Sequence, residues 1–183
     1  DSTLHLTKAM GLVASSKIRR AGIAMNKSRD YLDAVNGIMA DLVSSAECQR
    51  SPFMLTRGER VRTVVIAGDR GLAGGYNANV FRLVKEQGFS DIIPIGKRAC
   101  DRYGGKFFSS EHFLALDADK MAREIIADYL EGKFDRLCIV STKYVSMMTQ
   151  TACVTEVLPL KKGESCASST IFEPDRETIL SAV

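Results

Sequence analysis

The chain has 183 residues, of which 45% are apolar and 26% charged, with a formal net charge of +3. That length holds one domain, or one domain with a long appendage. The composition excludes wholesale disorder, no apolar run approaches the ~20 residues needed to cross a bilayer, and +3 is too small a charge to mark a nucleic-acid binder by itself.

The first segment to read is Thr3 to Glu47, which contains no proline. Apolar or small residues recur at alternating three and four spacing through Leu6, Met10, Val13, Ala21, Ala24, Tyr31, Val35, Ile38 and Leu42. This pattern predicts a single helix with a coiled-coil-like seam, roughly 65–75 Å long at 1.5 Å per residue. The seam is imperfect. Lys17 and Arg20 fall where the register wants apolar side chains, and Gly11, Gly22 and Gly37 each cost about 1 kcal/mol in a helix interior. Such a helix depends on packing against a partner, and the rest of the sequence offers no second segment of matching length. Charge is concentrated on it: from Ser2 to Arg29 there is no acidic residue, while Lys8, Lys17, Arg19, Arg20, Lys27 and Arg29 are basic. A solvated face and a contact face for acidic partners are both open readings of that run. With neither an uninterrupted apolar stretch nor a small-residue cleavage site, residues 1–30 do not read as a signal peptide, and a cytosolic compartment is expected.

Ser51-Pro52 ends the helix, and residues 51–60 read as a polar linker. Val61 to Ala67 is a β-branched run closed by Gly68, as in a strand buried on both faces. Asn77 to Gln87 has helical periodicity, Asp91 to Ile95 is strand-like, and Lys97 to Tyr103 forms a short helix before Gly104-Gly105. Asp119 to Leu130 is an amphipathic helix with Gly132 beyond its end, and Arg136 to Ser141 is another apolar strand. Thr151 to Leu160 alternates as a strand paired with the Leu137 region, Lys161 to Thr170 is a polar loop, and a helix opens at Pro174. Strands alternating with helices predict a layered, Rossmann-like α/β domain with a largely parallel sheet beside the projecting helix. The expected divisions are 1–50 for the long helix, 51–60 for the linker, 61–173 for the globular domain and 174–183 for the start of a last helix.

Chemical sites are scarce. Cys48, Cys100, Cys138, Cys153 and Cys166 are widely spaced without a C-x-x-C pair, which predicts reduced thiols and neither a disulfide framework nor a zinc site. His5 and His112 stand alone, and no nucleophile, base and orienting group emerge together. The glycine-rich turn Gly68 to Gly75 leads from a strand into a helix, the geometry that exposes N–H groups to an anion. It fits neither G-x-x-x-x-G-K-[ST] nor G-x-G-x-x-G, so no bound cofactor is expected. Its glycines serve a tight turn and close helix-to-strand packing, leaving Asp69 and Arg70 for polar contacts to a neighbouring subunit.

Four motifs in order carry a resemblance that covers nearly the whole chain. Gly68-Asp69-Arg70-Gly71-Leu72-Ala73-Gly74-Gly75-Tyr76-Asn77 resembles the signature Ser-Asp-Arg-Gly-Leu-Cys-Gly-Gly-Phe-Asn of ATP synthase gamma subunits. Leu6-Thr7-Lys8-Ala9-Met10-Gly11-Leu12-Val13-Ala14-Ser15-Ser16-Lys17-Ile18-Arg19-Arg20-Ala21 is similar to that family's long N-terminal helix. Val154 to Leu160 and Ile171-Phe172-Glu173-Pro174 look like its Leu-Leu-Pro-Leu strand and its Tyr-x-Phe-Glu-Pro motif, and Lys143-Tyr144 resemble its Asn-Lys-Phe segment, read as structural or interfacial. Ala73 and Gly68 replace the signature's cysteine and serine, so no role needing that thiol or hydroxyl carries over. Against the family pattern both ends are expected to be short, lacking the second long helix and the start of the first.

The resemblance implies the central stalk of a rotary motor, coupling hydrogen-ion or sodium-ion transport to ATP synthesis or hydrolysis without being an enzyme itself. Its implied partners are the catalytic-head alpha and beta subunits, the epsilon subunit and the membrane rotor ring. Its implied place is peripheral, on the cytoplasmic side of a bacterial inner membrane. Lys8, Met10, Lys17, Arg19 and Arg20 are the positions expected to meet acidic loops of the head, and Asp69, Arg70 and Asn77 are further expected subunit contacts. The rival is a nucleotide- or small-ligand-binding Rossmann-like module that dimerises through its helix. A basic coiled-coil nucleic-acid binder is disfavoured because no aromatic platform occurs between Leu4 and Asp30.

Overall fold

The structure is a computed structural model, and it describes residues 2–71, 73–146, 148–161 and 180. The expected polar loop after Lys161, the opening of the helix at Pro174 and Cys166 lie outside the described residues. Two compact units divide the chain, one containing the stretch up to Cys48 and the other spanning Gln49–Lys161.

The first unit contains α1 (Ser2–Ser44), 43 residues of unbroken helix. At 1.5 Å per residue it is about 65 Å long. Most of its apolar side chains stay in solvent: Met10 is 65% exposed, and Leu6, Val13, Ile18, Ile23 and Tyr31 are exposed with it. Only near its end do Leu42 and Val43 become buried.

The second unit is built on one sheet. Its elements are β1 (Val61–Ile66), α2 (Tyr76–Glu86), β2 (Asp91–Ile95), α3 (Lys97–Tyr103), α4 (Ala115–Leu130), β3 (Arg136–Tyr144) and β4 (Gln150–Leu158). The strand order is β2-β1-β3-β4. β1 runs parallel to both β2 and β3, while β4 returns antiparallel to β3. The period-2 geometry of β1 places Val64 on one face and Val65 on the other. Val64 joins Ile95, Leu137 and Leu158 against Ile125 and Tyr129 of α4. Val65 and Ala67 join Val140 against Val80 and Val84 of α2 and Ala99 of α3. Helices therefore cover both faces, which explains why the consecutive Val64 and Val65 of β1 are both buried. Each such buried aliphatic side chain contributes roughly 1.5–3 kcal/mol relative to exposure.

Some boundaries differ from the sequence reading. α4 begins at Ala115, earlier than Asp119, because the Asp117 carboxylate accepts the Leu114 N–H at 3.2 Å and secures the first turn. β3 runs on to Tyr144 because β4 pairs with it as far as Tyr144 opposite Gln150. The 51–60 segment is laced to the α/β unit. Phe53 stacks on Tyr129 with centroids 6.2 Å apart, its carbonyl accepts the Leu160 N–H at 2.7 Å, and Arg57 donates to the Tyr129 carbonyl at 2.9 Å. Arg60 grips the buried Asp135 carboxylate through its side chain and its backbone N–H. These partners are more than seventy positions away in sequence, where local polarity gives no hint of them.

Candidate subunit-contact site

The turn from β1 into α2 is held by its own side chains. Asn77, on the first turn of α2, accepts the Gly68 N–H at 2.8 Å and donates to the Arg70 carbonyl at 3.2 Å. Asp69 reaches across to the segment around α3. One carboxylate oxygen accepts the Lys97 N–H at 2.9 Å and the Ser110 N–H at 3.0 Å. The other takes the Ser109 hydroxyl and the Glu111 N–H at 3.2 Å. Burial works against the charge on Asp69, but the Ser109 hydroxyl and three amides outweigh it and hold the carboxyl well below the usual carboxylate range. Backbone bonds complete the clasp, from Ala67 N–H to the Ile95 carbonyl at 2.9 Å and from Gly96 N–H to the Phe108 carbonyl at 2.7 Å.

This filling bears on chemistry. A glycine turn that binds a phosphate keeps its amides free for the ligand. Here the Gly68 amide is taken by Asn77, and the amide at the start of α3 is taken by Asp69. Arg70 is what the turn offers outward. It is 70% exposed and pairs with Glu111 through Nε at 2.8 Å and Nη2 at 3.2 Å. Lys97 and Arg98 are exposed alongside it, and an added Cβ on Gly71 would lie 2.4 Å from an Arg98 guanidinium nitrogen.

On α1, Lys8, Met10, Lys17, Arg19 and Arg20 are all exposed. Arg20 donates to the Ser16 hydroxyl at 3.4 Å, one turn earlier. The sequence thus pointed to residues that the structure groups in two places, a basic helix surface and a braced turn, each within its own unit. Ser109, Ser110 and Glu111 were not singled out by sequence, and the sole signal for them is a polar run some forty residues after Asp69.

The remaining reactive groups are quiet. Among the described residues, Cys48, Cys100, Cys138 and Cys153 are free thiols, and burial pushes the Cys138 thiol up in pKa, away from the reactive thiolate. The described residues contain no cluster of His, Cys, Asp and Glu fit for a metal ion, and no described helix is long and apolar enough to cross a membrane.

A doubly covered, mostly parallel sheet whose glycine turn is braced by Asn77 and Asp69, preceded by a long helix bearing exposed apolar and basic side chains, defines a class: an α/β subunit with surfaces suited to other proteins. Comparison with known proteins narrows it. The family model described as ATP synthase matches residues 1–183. The chain belongs to this family, and within it to the gamma subunits, the rotor shafts, whose motifs its sequence carries. Solved structures with a similar fold include the central stalk and c-ring of the Tetrahymena thermophila mitochondrial ATP synthase, at 17% identity and TM-score 0.69, covering 97% of this chain and 84% of that one. Another is the rotor of the Euglena gracilis mitochondrial ATP synthase in rotational state 1, at 18% identity and TM-score 0.59, covering 98% of this chain and 70% of that one.

Proposed function

We propose that the chain transmits torque and performs no chemistry of its own. In this reading α1 is gripped by the catalytic-head alpha and beta subunits, with Lys8, Met10, Lys17, Arg19 and Arg20 meeting acidic loops there. The α/β unit meets the epsilon subunit and the membrane rotor ring, and Asp69, Arg70 and Asn77 form or brace a further subunit contact. The chain is peripheral to the membrane and held there by its partners, on the cytoplasmic face in a bacterial cell. The observation that carries the reading is a 43-residue helix with exposed apolar side chains in a chain that matches the ATP synthase family from end to end. Such a surface is left unsatisfied unless partners cover it. Long-range attraction between a basic helix and acidic loops steers assembly without demanding the tight burial that would stop a shaft from turning.

The test is assembly on the catalytic head. Reversing Lys17, Arg19 and Arg20 together to Glu should weaken association with the alpha–beta assembly at least tenfold at low salt, less so at high salt, while the α/β unit melts unchanged. Association that ignores the reversal contradicts the assignment of this helix face. Against the nucleotide-binding alternative, calorimetric titration with ATP or NAD should show no saturable micromolar binding, since the Gly68 amide and the first amide of α3 are already bonded within the chain.

A further inference from the structure

We infer that Tyr129 is a mechanical joint: the runs of chain that enter and leave the α/β unit are pinned together on it, and the pinning sets how stiffly a twist carried along the chain reaches the sheet. The inference deepens the torque reading above and rests on it.

The α/β unit spans Gln49–Lys161, so the chain enters it through residues 49–60 and leaves it through residues 158–161. The two runs are bonded to each other, the Phe53 carbonyl accepting the Leu160 N–H at 2.7 Å. Phe53 and Leu160 both pack on the core cluster that contains the fully buried Tyr129. Phe53 lies almost parallel to the Tyr129 ring, at 9° and 6.2 Å between centroids. Four residues on, the Arg57 guanidinium sits 5.1 Å from the centre of the same ring and donates to the Tyr129 carbonyl at 2.9 Å. Tyr129 is itself fixed, since its cluster joins α4 to Val64 of β1 and Leu137 of β3.

A second anchor stops the entering run from swivelling about the first. Arg60 holds the Asp135 carboxylate through Nε and Nη2, each at 2.9 Å, and donates to the Gly132 and Lys133 carbonyls at 2.7 Å and 3.2 Å. Its own carbonyl accepts the Asp135 and Arg136 N–H groups at 2.8 Å and 3.0 Å, at the start of β3. Between the anchors the backbone runs so close that a Cβ added to Gly58 would lie 2.7 Å from the Asp135 carboxylate. A polar segment between two compact units is by default a flexible linker. Here Phe53, Arg57 and Arg60 are tied to α4 and β3, so turning the segment requires several contacts to break together. Arg57 and Arg60 are exposed apart from these contacts, so deleting both side chains loosens the strap and leaves the apolar core whole.

The experiment assembles the native full-length form of the protein with the alpha–beta catalytic head, fixes the head to a surface and follows a bead carried at the exposed Lys143 position of β3. At rest, the thermal variance of the bead angle is inversely proportional to torsional stiffness. Phe53→Ala, and Arg57→Ala with Arg60→Ala, should each widen that variance about two-fold or more. Phe53→Tyr keeps the ring stack and should match wild type. Val84→Ala, a core truncation on the opposite face of the sheet, should lower the melting temperature and leave the variance unchanged. Wild-type variance in the Arg57→Ala, Arg60→Ala protein overturns the joint, and this variant decides the matter even where Phe53→Ala does not fold. Equal widening in Val84→Ala also overturns it, because the effect then reports general loosening. A wild-type protein that does not turn on the head overturns the torque reading itself, a separate failure.

Discussion

Four donors converge on Asp69, and the consequence is a pH dependence with a definite sign. Its carboxyl pKa is depressed in the folded chain, so its stabilisation is complete above the unfolded value of about 3.9 and is lost as acid protonates the folded carboxylate. Asp69→Asn should therefore be less stable than wild type at neutral pH, and denaturant unfolding should show the gap narrowing only below about pH 4. A gap that stays constant into that acid range would mean the clasp does not depend on charge. Gly96 makes a second case. It sits at φ 93°, and an added Cβ would lie 1.9 Å from the Ala67 carbonyl oxygen. Gly96→Ala should cost more than about 3 kcal/mol, whereas Gly88→Ala, at φ 69° with nothing within 4 Å of the added carbon, should cost only the ~1–2 kcal/mol of a left-handed residue. Thr63 is fully buried in β1, and its hydroxyl has no partner among the described residues. Thr63→Val keeps the shape and removes that unsatisfied group, so unfolding should show a gain of about 1 kcal/mol.

At the scale of elements, much was legible. The β-branched Val61–Ala67 run is readable as a doubly covered strand because parallel sheets bury both faces, and the structure places α2 and α3 on one side and α4 on the other. The long helix follows from the missing proline and the three-four spacing. What escaped was written in tertiary contacts. Nothing near Asp69 announces Ser109 to Glu111, and the lacing of Phe53, Arg57 and Arg60 to Tyr129 and Asp135 gives a polar stretch no local sign of its anchorage. The two kinds of element should also differ in dynamics. Exposed helices depend on packing, so in the isolated chain amides across residues 4–35 of α1 should exchange faster than those of β1 and β3. Hydrogen exchange checks this, and equal protection would show that α1 is stable without a partner.

For the whole molecule, the family match and the exposed helix lead to a shaft whose work is visible only in company. α1 exposes basic and apolar side chains along most of its length, and Arg70 is exposed at the glycine turn. The most direct measurement is ATP-driven ion pumping in vesicles reconstituted from the catalytic head, epsilon subunit and membrane sector, with the native full-length form of this protein present or omitted. A shaft predicts an ion gradient only when it is present, together with no ATP hydrolysis by the protein alone. Pumping of equal extent in its absence would contradict the assignment.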